Sequence, residues 1–122
     1  VVRDADRLSL QEIAGATADL APRAREGGLQ SAELQEGTFT ITNLGMHNID
    51  AFTPIINPPQ CAILGAGRIV RKPAVVENEL VPQDRITLSL TFDHRIVDGG
   101  PAARFLDTIR EYVEEPDLWL TR

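Results

Sequence analysis

The 122-residue sequence holds one cysteine, one tryptophan, one tyrosine, one methionine and two histidines. A single cysteine, Cys61, excludes an internal disulfide and offers no metal framework. It fits a reducing compartment, and inside its apolar run it reads as a small core residue. No apolar run approaches the roughly 20 residues that a helical bilayer span needs. Basic residues are in short supply: 12 Lys and Arg stand against 18 Asp and Glu, for a net charge of −6. Nucleic acid and anionic membrane, both polyanions, are therefore not expected partners. Internal repeats, linkers and low-complexity segments are absent too. What is present is ordinary for a globular chain, with 43% hydrophobic and 25% charged residues. The length suits one domain or a piece of one. The opening Val1-Val2-Arg3 has no methionine and reads as the end of a strand, so a fragment of something longer is expected.

Local patterns divide the chain into helices and strands. Ser9-Leu10-Gln11-Glu12 has the form of a capping box. Leu10, Ile13, Ala14, Thr17, Leu20, Ala21 and Ala24 then recur at helical spacing. Pro22 lies inside that helix and predicts a kink; Gly27-Gly28 predicts its end. Ser31 to Leu34 suits one short helical turn. Thr38 to Thr42 alternates strictly, with Phe39 and Ile41 on one face and the three threonines on the other. Cys61 to Val70 reads as a buried strand, with Gly65 and Gly67 marking close backbone approach or a bulge. Val75-Val76 and Leu80-Val81 predict a hairpin around Glu77-Asn78-Glu79. Arg85 to Phe92 alternates as a half-buried strand. Gly100-Pro101 opens a last helix striped by Ala102, Phe105, Leu106, Ile109 and Val113, and Glu115-Pro116 ends it. Asp117 to Leu120 is an apolar tail. The elements do not alternate as strict βαβ units. The expected fold class is therefore α/β, a two-layer sandwich of a mixed β-sheet with flanking helices.

The sharpest chemical signal is Thr91-Phe92-Asp93-His94-Arg95-Ile96-Val97-Asp98-Gly99-Gly100, where a strand runs into a helix. A neutral imidazole is a good proton acceptor near pH 7, and a turn after a strand can aim it into a cleft. Two readings stand on spacing alone. His94 is a general base whose loop Asp98 fixes, or His94 is a polar loop residue and Asp98 a helix cap. Asp93, His94 and Asp98 could ligate a metal, but no second histidine or cysteine is near, so no metal is expected. His47 reads as a surface-loop histidine. Arg68, Arg71 and Lys72 read as a solvated strand edge or as partners for phosphates.

Asp93-His94-Arg95-Ile96-Val97-Asp98-Gly99 resembles the D-H-R-x-x-D-G signature of the acyltransferase catalytic domains of 2-oxo acid dehydrogenase complexes. Three further segments resemble that family, in its order and near its spacing. They are Ala24-Arg25-Glu26-Gly27, Gly37 to Gly45 (Gly-Thr-Phe-Thr-Ile-Thr-Asn-Leu-Gly) and Ile55-Ile56-Asn57-Pro58-Pro59-Gln60. The shorter H-x-x-x-D-G core is shared with chloramphenicol acetyltransferases and peptide-synthetase condensation domains, which usually carry a second histidine where this chain has Asp93.

The resemblance implies a coenzyme A-dependent acyltransferase fold, with residues 1–122 as the C-terminal part of a single catalytic domain. It implies transfer of an acyl group, acetyl by the run Ile49 to Pro54, between dihydrolipoamide and coenzyme A. His94 would be the base that takes the thiol proton. Thr42 would donate a hydrogen bond to the oxyanion, and Asp98 would organise the histidine loop, commonly through an arginine elsewhere in the domain. Asn43, Gly67 and Ile69 fall where the family lines its coenzyme A channel. Implied partners are a homotrimer within a larger symmetric core, the other complex subunits, and a lipoyl domain that this chain lacks. The setting would be the bacterial cytoplasm, or the mitochondrial matrix in a eukaryote. A second function stands beside this one: an inactive fragment or scaffold module acting in core assembly.

Overall fold

The computed structural model describes residues 1–120. Two compact units divide the chain, one from Val1–Thr38 with the segment from Asp107 onward, the other from Phe39–Leu106.

In the first unit, helix α1 spans Leu10–Arg25. The capping box forms as the sequence predicts. The Ser9 N–H donates to Glu12 Oε2 at 2.7 Å, and the Glu12 N–H donates to Ser9 Oγ at 3.3 Å. The helix runs through Pro22 and stops at Gly27, whose φ of 71° suits glycine. Gly28 N–H reaches the Arg23 carbonyl at 2.8 Å and Gly27 N–H the Ala24 carbonyl at 3.3 Å. Those two bonds define a Schellman stop. Val1 to Arg3 forms no strand. Its ammonium donates to the Glu33 carbonyl, and Arg3 pairs with Glu36. Helix α2 is the single turn Ser31–Leu34. Its Glu33 takes a bidentate hold from Arg23, at 2.9 and 2.7 Å, and Arg23 also reaches Asp19.

The Arg23 guanidinium, helped by the Gln30 N–H, holds the Glu33 carboxyl down at about 2. A depressed carboxyl stabilises the fold above its unfolded pKa, and that stability is lost as pH falls through the folded value. The expected result is a Glu33 carboxyl that protonates near pH 2 in a carbon-13 NMR titration. In Arg23→Gln it returns toward the ordinary glutamate range, about 4.3. A Glu33 midpoint unmoved by that substitution would contradict the pairing.

The second unit holds both sheets. Strands β1 (Thr40–Asn43), β2 (Ala62–Ala66) and β5 (Leu88–Phe92) form a mixed sheet in the order β1-β2-β5, the first pair parallel and the second antiparallel. Strands β3 (Val70–Val76) and β4 (Glu79–Arg85) form a separate hairpin, turning at Glu77 and Asn78, both with positive φ. The hairpin is the predicted one, longer at both ends. The predicted Cys61–Val70 strand is cut to Ala62–Ala66. Gly67 N–H donates to Thr87 O at 3.0 Å, extending the β2–β5 pairing one residue past Ala66, while Arg68 N–H reaches Ile49 O at 2.8 Å. Likewise Arg85 belongs to β4, and only Leu88–Phe92 joins the three-stranded sheet.

Register assigns the faces. Thr40, Ile63 and Thr91 form one cross-strand row; Thr42, Gly65 and Ser89 form the next. Side chains in register share a side of the sheet. Residues 52–54 cross this side, because a Cβ on Gly65 would meet Phe52 at 3.0 Å and Pro54 at 3.2 Å. The Thr91 hydroxyl donates to Pro54 O at 2.7 Å and that of Thr40 to Gln60 Oε1 at 2.6 Å. On the opposite side lie Ile41, Leu64 and Leu90. There Phe39, just before β1, meets Phe105 edge-to-face with centroids 5.8 Å apart. Phe105 belongs to α3 (Gly99–Glu114), whose Ala102 is buried. The core is thin: Ala62, Ile63, Leu64, Ala66, Ala74 and Ala102 are its buried apolar residues, while Ile41 stays 69% exposed.

Gly67 is fixed by its neighbours. A Cβ there would stand 1.9 Å from the Asp50 carbonyl oxygen. Backbone against backbone leaves no flexible tip to yield. Gly67→Ala is expected to destabilise the fold by about 3 kcal/mol, read as a fall in denaturation midpoint. Gly15→Ala is the control. It lies inside α1 with nothing within 4 Å of the new methyl, and should gain roughly 0.5–1 kcal/mol. Equal midpoints for the two variants would contradict this packing.

Candidate active site

The histidine corner is built on the end of β5. Asp93 N–H donates to Cys61 O at 2.8 Å, carrying the β2–β5 pairing one residue beyond Phe92. The Asp93 carbonyl then accepts from both Ile96 and Val97 N–H, at 3.0 Å each, which closes a tight turn over residues 93–97. The Asp93 carboxylate turns back onto Arg95. Oδ1 accepts the Arg95 N–H and Nε, both at 3.0 Å, and Oδ2 accepts Nη2 at 2.8 Å. These charge-assisted bonds to Arg95 pull the Asp93 carboxyl down to about 2.

His94 projects from the middle of this turn. Its side chain is 72% exposed and makes no hydrogen bond among the described residues. Its Nδ1 lies 4.0 Å from Asp98 Oδ1, beyond hydrogen-bonding distance, and its ring is tilted against Phe92 at a centroid distance of 5.6 Å. Asp98 immediately precedes α3 and accepts the Ala102 N–H through its main-chain carbonyl at 3.2 Å. Its carboxylate is 88% exposed. Within this chain the loop is braced by Asp93 and Arg95 rather than by Asp98. The sequence signal for that brace was available: an aspartate readily bonds the backbone two residues on, and Asp93 stands two residues before Arg95.

The other proposed site residues lie at the opposite end of the sheet. Thr42 is half-buried on the side crossed by residues 52–54. Thr40 and Thr91 use their hydroxyls inside the chain, whereas that of Thr42 makes no hydrogen bond among the described residues. Asn43 Oδ1 accepts the Gly45 N–H at 2.7 Å and tightens the turn after β1. That turn abuts Gly67, since a Cβ on Gly45 would meet Gly67 O at 2.9 Å. Ile69, just beyond, is 71% exposed. Asn43 and Ile69 are thus both exposed at this end of the sheet. The space beside Gly67 is filled by Asp50, so the chain's own packing accounts for that glycine. Arg68 pairs with Asp50, and Arg71 with Asp84 at 2.9 Å. An open cavity of about 330 Å³ lies on the hairpin, lined by Arg71, Lys72, Pro73, Leu80, Val81 and Pro82. It shares no residue with either group.

The register sets the separation. Thr42 is in line with Gly65 and Ser89, and Phe92 is in line with Ala62. Three strand residues span about 10 Å, and His94 lies beyond Phe92. Thr42 and His94 of one chain therefore cannot act on the same atom. The structure brings His94 together with Asp98, and Asn43 together with Gly67, but it does not join these two groups.

Residues 1–121 match the family model for 2-oxoacid dehydrogenases acyltransferase (catalytic domain). A protein of Bacillus subtilis is 49% identical over 116 residues, covering 95% of this chain and 29% of that protein. It is the dihydrolipoyllysine-residue acetyltransferase component of an acetoin cleaving system. The crystal structure of a probable dihydrolipoamide acetyltransferase from Listeria monocytogenes superposes with a TM-score of 0.90 at 38% identity, covering 93% of this chain and 49% of that one. The dihydrolipoamide acetyltransferase of Azotobacter vinelandii superposes with a TM-score of 0.87 at 37% identity, covering 91% and 46%. The fold is that of these acyltransferase catalytic cores. The chain belongs to the family of 2-oxoacid dehydrogenase acyltransferase catalytic domains. It spans about half the length of the solved chains it matches.

Proposed function

We propose that this chain is the C-terminal part of a catalytic domain that transfers an acetyl group between dihydrolipoamide and coenzyme A. His94 takes the proton from the attacking thiol. A base is needed because a free thiol, with a pKa of about 8.5, is mostly protonated at neutral pH. The thiolate adds to the thioester carbon, and the carbonyl oxygen becomes an oxyanion that accepts the Thr42 O–H. Collapse breaks the old C–S bond, and the leaving thiolate takes its proton from the His94 imidazolium. Asn43 and Ile69 contribute to the coenzyme A channel, and Asp98 carries its charge beside the base.

The observation that carries this reading is the unused Thr42 hydroxyl at one end of a sheet whose other end presents an unused imidazole. Neither group makes a hydrogen bond among the described residues. The spacing supports it as well. The catalytic mechanism of the Azotobacter enzyme has been investigated through a serine, a histidine 52 residues later and an asparagine four residues after that. Thr42, His94 and Asp98 stand at those intervals. Because one chain holds Thr42 and His94 apart, the working site takes them from neighbouring chains of a homotrimer. A larger symmetric core, a lipoyl domain and the other complex subunits complete the assembly, in the bacterial cytoplasm or the mitochondrial matrix.

The exposed His94, with its Nδ1 4.0 Å from Asp98 and no hydrogen bond among the described residues, favours a second reading, an inactive module acting in core assembly. Formation of free coenzyme A from acetyl-coenzyme A and dihydrolipoamide, resolved by chromatography in the full-length protein, separates the two. Turnover above buffer supports the transferase; rates no better than buffer leave the scaffold. Running succinyl-coenzyme A beside acetyl-coenzyme A tests the acyl group, with faster acetyl transfer expected.

A further inference from the structure

We infer that Asp93 is a positioning residue for the base, and that it acts through the turn it closes on the Arg95 N–H rather than through its charge. The inference rests on the role proposed for His94. Every polar group of Asp93 is engaged in shaping residues 93–97. Its N–H is tied to Cys61 O, and its carbonyl to the Ile96 and Val97 amides. Its Oδ1 holds the Arg95 amide, while the Arg95 guanidinium closes over both carboxylate oxygens. The carboxylate is only 18% exposed, whereas the guanidinium is 89% exposed. The anchored end of the pair is the aspartate. His94 sits between two residues whose backbones are fixed, and no hydrogen bond from the described residues holds its own ring. The direction of the imidazole is therefore inherited from the backbone, and the backbone is held by Asp93.

The side-chain chemistry separates geometry from charge. Asparagine keeps an Oδ1 at the same distance from the main chain and can accept the Arg95 N–H, though it loses the ion pair. Glutamate keeps the charge, but its extra methylene moves the carboxylate out of reach of the amide two residues on. Alanine loses both. The expected series in the full-length protein is a fall in kcat of about 10²-fold for Asp93→Ala and for Asp93→Glu. Asp93→Asn should stay within about fivefold of the parent, and KM for coenzyme A should be little changed in all three, because a misdirected base costs rate and not binding. Hydrogen exchange at the Arg95 amide reads the turn without turnover. It should stay slow in the parent and Asp93→Asn, and speed up in the other two.

A series in which glutamate keeps the rate and asparagine loses it would overturn the inference in favour of charge. So would an Arg95 amide whose exchange is the same in Asp93→Ala as in the parent. If the parent protein itself shows no acyl transfer, the proposed role of His94 fails. The inference then fails with it as a statement about catalysis, even where the exchange series follows the turn.

Discussion

His94→Ala should lower kcat for acetyl transfer by about 10²–10⁴, the range that a positioned general base contributes. Binding of coenzyme A should change little, since the imidazole acts on the thiol proton and not on the nucleotide. The fold should be indifferent. The side chain is 72% exposed and makes no hydrogen bond among the described residues, and substitutions at such positions stay within about 0.5 kcal/mol. That contrast gives the prediction its force. A variant with the parent's denaturation midpoint and almost no turnover identifies a chemical role. A variant that keeps its rate within a few-fold would remove His94 from the chemistry and favour the assembly module.

Thr42→Val should cost nearly as much, about 10²–10³ in kcat, the usual loss when one oxyanion donor is removed. Valine is close in shape to threonine and lacks only the donor. The Thr42 hydroxyl makes no hydrogen bond among the described residues, so its removal should leave no broken bond behind. Thr42→Ser restores the donor and should recover most of the rate. Thr40→Val is the matched control. Its hydroxyl is used on Gln60, so its loss should be read in stability and not in turnover. If Thr42→Val and Thr40→Val behave alike, Thr42 is only another threonine of the sheet.

How much of this was legible beforehand depended on the range of the interaction. The Ser9–Glu12 box and the stop at Gly27 are decided within five residues, and both appear where the sequence put them. The Glu77–Asn78 hairpin is local in the same way. Strand ends were harder, because a ladder ends where the partner leaves. Gly67 signalled a close backbone approach, but no periodicity in residues 61–70 announces that the neighbour comes from residue 50. Val1 to Arg3 has strand-like composition but bonds to the α2 turn and to Glu36 instead of to a strand. The alternation over Thr38 to Thr42 sorted the side chains onto two faces. It could not tell that the threonine face would be crossed by residues 52–54, a loop without a repeat, while Ile41 stays open. At the site, His94, Asp98 and Thr42 were legible as motif positions. Their placement at opposite ends of one sheet depends on the β1-β2-β5 register, which joins segments some 50 residues apart. The Asp93 brace is a short-range bond to the amide two residues on, a pattern that aspartates make in many loops and that does not by itself mark a site.

That placement makes the sharing of a site between neighbouring chains the central claim, and subunit mixing tests it. His94→Ala and Thr42→Val proteins are each nearly inactive alone. Unfolded together in equal amounts and reassembled, they should form hybrids of the proposed trimer, in which an intact histidine from one chain can face an intact threonine from the next. If assembly is random, about a quarter of such interfaces carry both. Formation of free coenzyme A by the mixture should recover to about a quarter of the parent rate. A mixture no more active than the two variants measured separately, with hybrids verified by mass, would contradict the shared site.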